Sequence, residues 1–240
     1  LLIGDCHVRH TSACLNVMAD VDVEYIQLNG LLNKGNNDEF ITELKSKAED
    51  AEIIYLTTPY RDKVLPHCKQ FEDKIKLMPS IRSTAFHPDI IACRTKDNER
   101  VFTLMHNNNS ALILYGFLNG LSIDETILLF CEEVFEHLKY FNRWNRSLTW
   151  AKSEERLTNW PVLQWYQKWI KDGSFVHTVN HPKLNVYTEL SKYLLGKNAI
   201  PQKLSETKKV ISDPGLRFSV WPVYPEIAER LGFEGSYEFK

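Results

Sequence analysis

A cysteine and a histidine stand side by side where the first predicted strand of this chain gives way to a helix. Residues 1–4 are predicted as the end of a buried strand, and residues 8–18 continue with helical spacing. Cys6 and His7 therefore fall at the carboxyl end of a strand, where ligands bind in α/β sheets. The N–H groups of a helix N-terminus favour negative charge, which predicts a lowered pKa for the Cys6 thiol, with His7 as its candidate base. A buried structural cysteine beside a surface histidine is the alternative.

A second histidine lies in a segment whose backbone is restricted by proline. Pro88 forces His87 into extended geometry, which suits a side chain presented from a loop. Asp89 could orient a histidine, as the third member of a catalytic triad does. A polar turn without chemical function is the alternative for this segment.

Residues 175–182 (FVHTVNHP) place two histidines and one asparagine on a predicted connection between helices. Polar groups at this density on a connecting segment indicate a functional site. A zinc site on His177 and His181 competes with this interpretation, because histidines four residues apart can bind zinc from one helix. Pro182 disfavours a helix here, and no cysteine or carboxylate lies close in sequence, so no metal is predicted.

His106 precedes an asparagine-rich turn and an apolar helix, for which Asn109 or Ser110 is the predicted N-cap. The N-cap explains one residue, Asn109 or Ser110, and does not explain why a histidine stands at position 106. The sequence holds neither G-x-G-x-x-G nor a P-loop, so no standard dinucleotide or nucleoside triphosphate site is predicted.

The composition is that of a globular protein without a strong charge bias. The 240 residues include 43% hydrophobic and 25% charged side chains, and the net charge of -2 gives no general attraction to nucleic acid or anionic membranes. Five cysteines without a C-x-x-C pair predict reduced thiols and a cytoplasmic location. No apolar run reaches the roughly 18 residues that a membrane-spanning helix needs.

The elements that would position these residues alternate between strand and helix in the first third of the chain. Strands are predicted at residues 1–4, 23–28, 53–57 and 75–78, with helices at 8–18, 40–48 and 62–71 between them. This alternation predicts an α/β fold whose N-terminal subdomain, residues 1–105, has a parallel sheet of SGNH or flavodoxin type. Residues 106–240 are predicted to be mostly helical and to complete the same compact domain.

The helical part contains an apolar stripe behind a capping box formed by Ser122 and Glu125. The stripe, which predicts the buried face of a helix, consists of Ile123, Ile127, Leu128, Val134, Phe135 and Leu138. Further helices are predicted from Pro161 to Gly173, at residues 186–195, and at residues 225–231 before Gly232.

Several segments of the chain match the motifs of one family. Residues 4–7 (GDCH) resemble its G-N-C-Q motif, residues 86–89 (FHPD) its H-P-D segment, and residues 175–184 (FVHTVNHPKL) its F-M-H-T-x-N-H-P segment. Residues 106–110 with 118–122 resemble its H-S…G-L-S stretch, and residues 221–232 with 235–237 resemble its ending. The chain thus resembles the WcbI-type polysaccharide biosynthesis family over essentially its whole length. Asp5 and His7 stand where the family pattern has asparagine and glutamine, and residues 107–109 form an asparagine run, which leaves the distribution of oxyanion and base roles open.

This resemblance implies a cradle-shaped fold with an α/β subdomain and a deep coenzyme A pocket. It also implies an acetyltransferase that uses acetyl-coenzyme A to O-acetylate a sugar of a capsular polysaccharide. We predict that catalysis involves Cys6, His7, His87, His177, Asn180 and His181. Coenzyme A is predicted to contact Gly4, Asp5, Arg9, Arg82, His106, Ser110 and Lys183, with the three cations on its phosphates.

Acetyl transfer needs a base for the acceptor hydroxyl and donors for the developing oxyanion. His177 or His181 is the predicted base, and Asn180 the predicted oxyanion donor or positioning group. Cys6 is predicted to line the main cleft and face the thioester, or to carry a covalent acetyl group. The segment from His177 to His181 is predicted to meet Cys6 across that cleft.

Two alternatives remain open from the residues alone. An SGNH-like hydrolase would use Cys6 as its nucleophile, although no D-x-x-H occurs near the C-terminus. A carbohydrate-binding protein without enzymatic activity would stack sugars on Trp144, Trp150, Trp160, Trp165 and Trp169, although the spacing of the last two also suits core packing.

Overall fold

Two units, each assembled from three separate stretches of chain, make up the structure. The computed structural model describes residues 1–28, 37–204, 210–217 and 220–239. The first unit comprises Leu1–Ile81, Ala151–Leu163 and Lys183–Pro214, and the second comprises Arg82–Trp150, Gln164–Pro182 and Gly215–Lys240. Each unit therefore combines early and late parts of the sequence.

A four-stranded parallel sheet lies in the first unit and confirms the predicted α/β fold class. Its strands are β1 (Leu2–Gly4), β2 (Tyr25–Gln27), β3 (Ile54–Thr57) and β4 (Ile75–Met78). They lie in the order β2-β1-β3-β4, and every neighbouring pair is parallel. The two central strands, β1 and β3, are buried along their whole length, which explains their nearly unbroken apolar sequence.

The helices run, in chain order, as α1 (Cys6–Met18), α2 (Asn37–Asp50), α3 (Arg61–Val64), α4 (Ala111–Leu118), α5 (Ile123–Ile127), α6 (Glu132–His137), α7 (Arg143–Thr158), α8 (Val162–Trp169), α9 (Leu184–Lys197) and α10 (Pro225–Leu231). In the described part of the chain, none of them is long and apolar enough to cross a membrane. The segment predicted as a helix over 62–71 instead holds the short α3 followed by 3₁₀ turns, because Pro66 interrupts the α-helical hydrogen bonds.

A single residue, Asp5, separates β1 from helix α1, which packs against α9 within the first unit. The ring of His7 meets the ring of Tyr187 edge-on, with centroids 6.0 Å apart, and Ser191 Oγ donates to the carbonyl of Thr11. Gly4 is needed at the end of β1, since a Cβ there would overlap Thr57 Oγ1. Glycine at this position therefore lets the end of β1 lie close to Thr57 at the end of β3.

Two antiparallel strand pairs lie in the second unit. β5 (Ile90–Ile91) pairs with β6 (Asn109–Ser110), and β7 (Val176–Thr178) pairs with β8 (His181–Pro182). Ser110 caps α4 through the backbone N–H of Ile113, and Ser122 with Glu125 forms the predicted capping box of α5. Both caps confirm the prediction.

The apolar stripe predicted to be buried behind that capping box is largely in solvent. Ile123, Ile127 and Leu128 are 79%, 59% and 74% exposed, whereas Phe135 is fully buried. The prediction of one helix with one buried face is wrong because α5 ends at Ile127 and α6 starts only at Glu132. The break separates the two halves of the stripe.

Candidate functional site

Three of the predicted site histidines line one cavity of about 330 Å³ in the second unit. His106 comes from the turn before β6, and His177 and His181 come from the β7–β8 hairpin. The remaining wall consists of Arg100, Phe102, Asn107, Asn108, Thr178 and Gly215. Imidazole, guanidinium and amide groups that converge in a concave site suit a polar or anionic ligand.

The hairpin fixes the orientation of His181. Its Nδ1 lies 2.6 Å from Thr178 Oγ1, and the pairing of the two strands is irregular between Val176 and Thr178. When Nδ1 donates to the threonine hydroxyl, the lone pair of the neutral imidazole lies on Nε2. This nitrogen can then accept a proton. His181 is half-buried, so its ring is both held and accessible from the cavity.

His177 is more enclosed than His181 and lies against the backbone of Gly215. A Cβ at position 215 would overlap the imidazole, at 2.7 Å from Nε2. The carbonyl of His177 also accepts a hydrogen bond from the backbone N–H of Trp221 at 3.3 Å. The buried ring of His177 therefore forms a fixed wall of the cavity.

Cys6 and its neighbours form a second cluster of reactive groups, at the carboxyl edge of the sheet in the first unit. Asp5 accepts the backbone N–H of His7 and caps α1, and His7 Nδ1 lies 3.5 Å from Asp5 Oδ1. One donor atom from each of Asp5, Cys6 and His7 lies within 4.8 Å of the others, a spacing that could hold a metal ion. The zinc alternative considered for His177 and His181 lacks such a three-residue set within the described ranges.

The predicted lowering of the Cys6 pKa is wrong. Burial and, to a lesser extent, the charge of Asp5 raise the pKa of the thiol to about 11, although a backbone hydrogen bond partly opposes them. Loss of hydration and a carboxylate next in sequence therefore outweigh the field of the helix N-terminus. At neutral pH, Cys6 is a thiol and not a thiolate.

Changing Asp5 to asparagine is expected to lower the pKa of Cys6 and to raise its alkylation rate at pH 8. Asparagine also caps helices, so α1 keeps its hydrogen bond while the repelling charge is removed. Iodoacetamide labelling, followed by mass spectrometry of the Cys6 peptide, should become about threefold faster for each unit by which the pKa falls, because the gain in thiolate is partly offset by its lower nucleophilicity. An unchanged rate would mean that burial alone sets the thiol's reactivity.

Glu154 is a buried carboxylate at the same sheet edge and was not predicted from the sequence. Its Oε2 accepts Thr58 Oγ1 at 2.5 Å and the backbone N–H of Ser80 at 2.8 Å. Those two residues lie just after β3 and β4. Glu154 thus ties together the loops that leave two parallel strands.

His87 and Asp89 are both buried, and the carboxylate of Asp89 bonds to other groups than a histidine. Asp89 Oδ1 accepts the Tyr140 hydroxyl and the backbone N–H of Leu112, both at 3.1 Å, and Oδ2 accepts the Tyr224 hydroxyl at 2.9 Å. Burial and the charge of Asp89 raise the pKa of both tyrosines. The sequence suggests Asp89 as the third member of a triad, but these bonds give it a structural role at the start of α4.

His87 Nδ1 lies 3.3 Å from the carbonyl oxygen of Pro222, inside the second unit. Only 2% of this residue is exposed, whereas the sequence predicted a side chain presented from a loop. The prediction that the His87 side chain is presented from a loop is therefore wrong. A catalytic role of His87 remains a prediction.

The three cations predicted to bind phosphates have different surroundings. The Arg82 guanidinium lies over the Trp150 ring, 3.4 Å from its centroid, and Arg9 is exposed. Burial lowers the pKa of Lys183, and the charge of Asp213 partly offsets this decrease. Arg100, which the sequence did not single out, is the cation that lines the histidine cavity among the described residues.

The predicted site residues fall in both units. Those of the first are Gly4, Asp5, Cys6, His7, Arg9 and Lys183, and those of the second are Arg82, His87, His106, Ser110, His177, Asn180 and His181. Asn180 is exposed in the hairpin turn, and Ser110 is occupied as the cap of α4. The expected meeting of Cys6 with the His177–His181 segment stays a prediction.

Tryptophans suited to sugar stacking are mostly core residues. Trp160, Trp165 and Trp169 are buried, and the last two stack with ring centroids 5.7 Å apart. Trp169 also packs on Phe175, which directly precedes the hairpin. These contacts favour core packing over an exposed carbohydrate platform.

Comparisons with known proteins give one family and one fold. The profile of a family described as polysaccharide biosynthesis enzyme WcbI matches residues 61–203. A solved structure of WcbI, described as a novel polysaccharide biosynthesis enzyme, is similar over 100% of this chain and 81% of that chain, with a TM-score of 0.60 and 12% identity. That structure is described as the native protein without a disulfide bond between coenzyme A and one of its cysteines. The curated proteins compared contain no significantly similar sequence.

Proposed function

Because this chain belongs to the WcbI family of polysaccharide biosynthesis enzymes, we propose that it transfers the acetyl group of acetyl-coenzyme A to a hydroxyl of a sugar in a capsular polysaccharide. The observation that carries the proposal is the contact between Thr178 Oγ1 and His181 Nδ1 in a cavity that also holds His106 and Arg100. An oriented imidazole beside a cation suits attack by a hydroxyl on a thioester whose carrier is anionic.

His181 is the base in this mechanism. Its Nε2 takes the proton of the sugar hydroxyl while that oxygen attacks the thioester carbonyl carbon. The resulting tetrahedral oxyanion collapses, the carbon–sulfur bond breaks, and the leaving thiolate takes the proton back from Nε2. The products are the O-acetyl sugar and coenzyme A. His106, Asn107 and Asn108 supply further polar groups in the same cavity.

Coenzyme A as the carrier is supported by the description of the similar solved structure, which names coenzyme A together with a cysteine of that protein and states that no disulfide bond joins them there. In this chain the guanidinium of Arg100 is the proposed partner of a coenzyme A phosphate. Guanidinium groups bind phosphates through paired, charge-assisted hydrogen bonds. Arg100 is exposed and lines the cavity, so its guanidinium is accessible to such a phosphate.

Direct transfer is favoured over a covalent acetyl-cysteine. Burial and Asp5 raise the pKa of Cys6 to about 11, so its thiolate is scarce at neutral pH. The thiolate is the nucleophilic form of cysteine. The same property argues against an SGNH-like hydrolase that would use Cys6 as its nucleophile, and it leaves the thiol as a weak hydrogen-bond donor.

Replacing Arg100 by alanine is expected to weaken coenzyme A binding by about tenfold or more, since hydrogen bonds to charged groups contribute about 1.5 to 3 kcal/mol. Titration calorimetry at low and high salt measures the effect, and the salt dependence should decrease in the variant. Arg156→Ala removes an exposed arginine of α7 and serves as the matched control. Equal affinity of the Arg100 variant and the wild-type protein would remove Arg100 from the site. No detectable binding of coenzyme A to the wild-type protein at millimolar concentration in low salt would remove the acetyltransferase proposal.

A further inference from the structure

An open apolar groove of about 620 Å³ lies in the second unit, apart from the histidine cavity in its lining residues. Its principal side chains are Ile113 and Phe117 of α4, Ile123 and Ile127 of α5, and Tyr237 and Phe239 of the C-terminal segment. Ile123 and Ile127 belong to the exposed half of the apolar stripe described above. It is not used in the proposed acetyl transfer.

The exposure of these side chains is unusual for a surface in contact with water alone. Phe117 and Ile123 are each 79% exposed, and Ile113 is 54% exposed. Soluble proteins rarely expose contiguous apolar patches larger than a few hundred Å², and larger ones mark interaction sites. The groove therefore calls for a partner that brings apolar side chains of its own.

The charge of the surrounding segments restricts what that partner can be. Residues 111–138 contain five acidic side chains and neither lysine nor arginine, and residues 225–239 contain four acidic side chains and one arginine. At the groove wall, the Tyr237 hydroxyl donates to the Glu226 carboxylate at 2.8 Å. Like charges disfavour an anionic membrane and also a second copy that would present the same acidic face.

We propose that this groove binds an amphipathic helix of a protein partner. The apolar stripe of that helix fills the groove between α4, α5 and the C-terminal segment, and its flanking lysine and arginine side chains face the acidic residues. Helices commonly bind in apolar grooves through side chains spaced three and four residues apart. Complementary charge adds orientation and speeds association.

Two synthetic helical peptides with the same leucine stripe test the proposal, one with lysine and the other with glutamate at every polar position. Fluorescence anisotropy with the full chain should show that the lysine peptide binds and that the glutamate peptide binds far more weakly. Rising salt should weaken the lysine peptide's binding, because screening shortens the range of charge attraction. Phe117→Ser should weaken that binding by about tenfold or more, since buried aromatic anchors dominate such interfaces.

Leu104→Ser is the control, because Leu104 is 98% exposed and does not line the groove. This variant should bind the lysine peptide as the wild-type protein does. Coenzyme A titration of Phe117→Ser should match the wild-type protein, which separates a loss of the groove from a failure of the proposed acetyl transfer. Equal binding of both peptides, no binding of the lysine peptide, or unchanged binding by Phe117→Ser would overturn the proposal.

Two further measurements test whether the groove has a different occupant. Sedimentation that shows a dimer which Phe117→Ser dissociates would assign the groove to a second copy of the chain. Cosedimentation with phosphatidylglycerol vesicles that is lost in Phe117→Ser would assign it to a membrane surface. Either result would overturn the proposed protein partner.

Discussion

Replacing His181 by glutamine is expected to lower the rate of acetyl transfer by about 10² to 10⁴-fold, the usual contribution of a general base. Glutamine is polar and similar in size, but it cannot accept and return the acceptor's proton. Release of coenzyme A from acetyl-coenzyme A, measured with a panel of sugars, gives the turnover. Calorimetry gives the affinity for coenzyme A. This affinity should equal that of the wild-type protein, because a base acts in the transition state.

Thr178→Val serves as the companion of the His181 variant. It removes the hydroxyl that lies 2.6 Å from His181 Nδ1 and keeps the β-branched shape of the strand residue. Turnover should decrease by about 10 to 100-fold, the range found when the hydrogen-bond partner of a metal-ligating histidine is removed. If His181→Gln loses coenzyme A affinity with turnover unchanged, His181 belongs to the binding surface and is not the base.

Replacing Asp89 by asparagine is expected to lower the free energy of unfolding by about 3 kcal/mol, because hydrogen bonds to a charged group contribute about 1.5 to 3 kcal/mol each. The carboxylate is fully buried and accepts two tyrosine hydroxyls and the backbone N–H of Leu112. Asparagine has one acceptor oxygen in place of two, so at least one of these donors is left without its partner. Urea unfolding followed by circular dichroism measures the change at an unchanged denaturant slope.

Tyr140→Phe and Tyr224→Phe are the matched controls for Asp89. Each removes one donor and leaves the carboxylate with its other bonds, so each should lower stability by less than Asp89→Asn does. A change below about 0.5 kcal/mol in Asp89→Asn, the range of ordinary surface substitutions, would contradict the structural role of this carboxylate.

Features set by neighbouring residues could be predicted from the sequence. The capping box of Ser122 and Glu125 and the stop at Gly232 involve residues within one helical turn of each other. The parallel sheet could be predicted because strands buried on both faces read as short apolar runs between helices. The exposure of the apolar face of α5 could not be predicted, because periodicity identifies an apolar stripe and does not reveal what covers it.

Site features that depend on the three-dimensional surroundings were the ones missed or reversed. The density of polar residues in 175–182 pointed to the hairpin that carries His181, since that signal is local. The pKa of Cys6 was predicted in the wrong direction because burial cannot be judged from adjacent residues. Glu154 bonds to Thr58, which precedes it by 96 residues, so no short motif could have indicated it. Arg100 enters the histidine cavity from a loop without a recognisable spacing.

The contact between α1 and α9 has a consequence for synthesis on the ribosome. Ser191 and Thr11, which join these helices, are 180 residues apart in the chain. At about 5 to 20 residues per second, the apolar side of α1 waits roughly 10 to 40 s for its partner helix to be made. During this interval, chaperones that bind nascent chains would find α1 available, and a chain released before residue 184 would lack the helix that covers it.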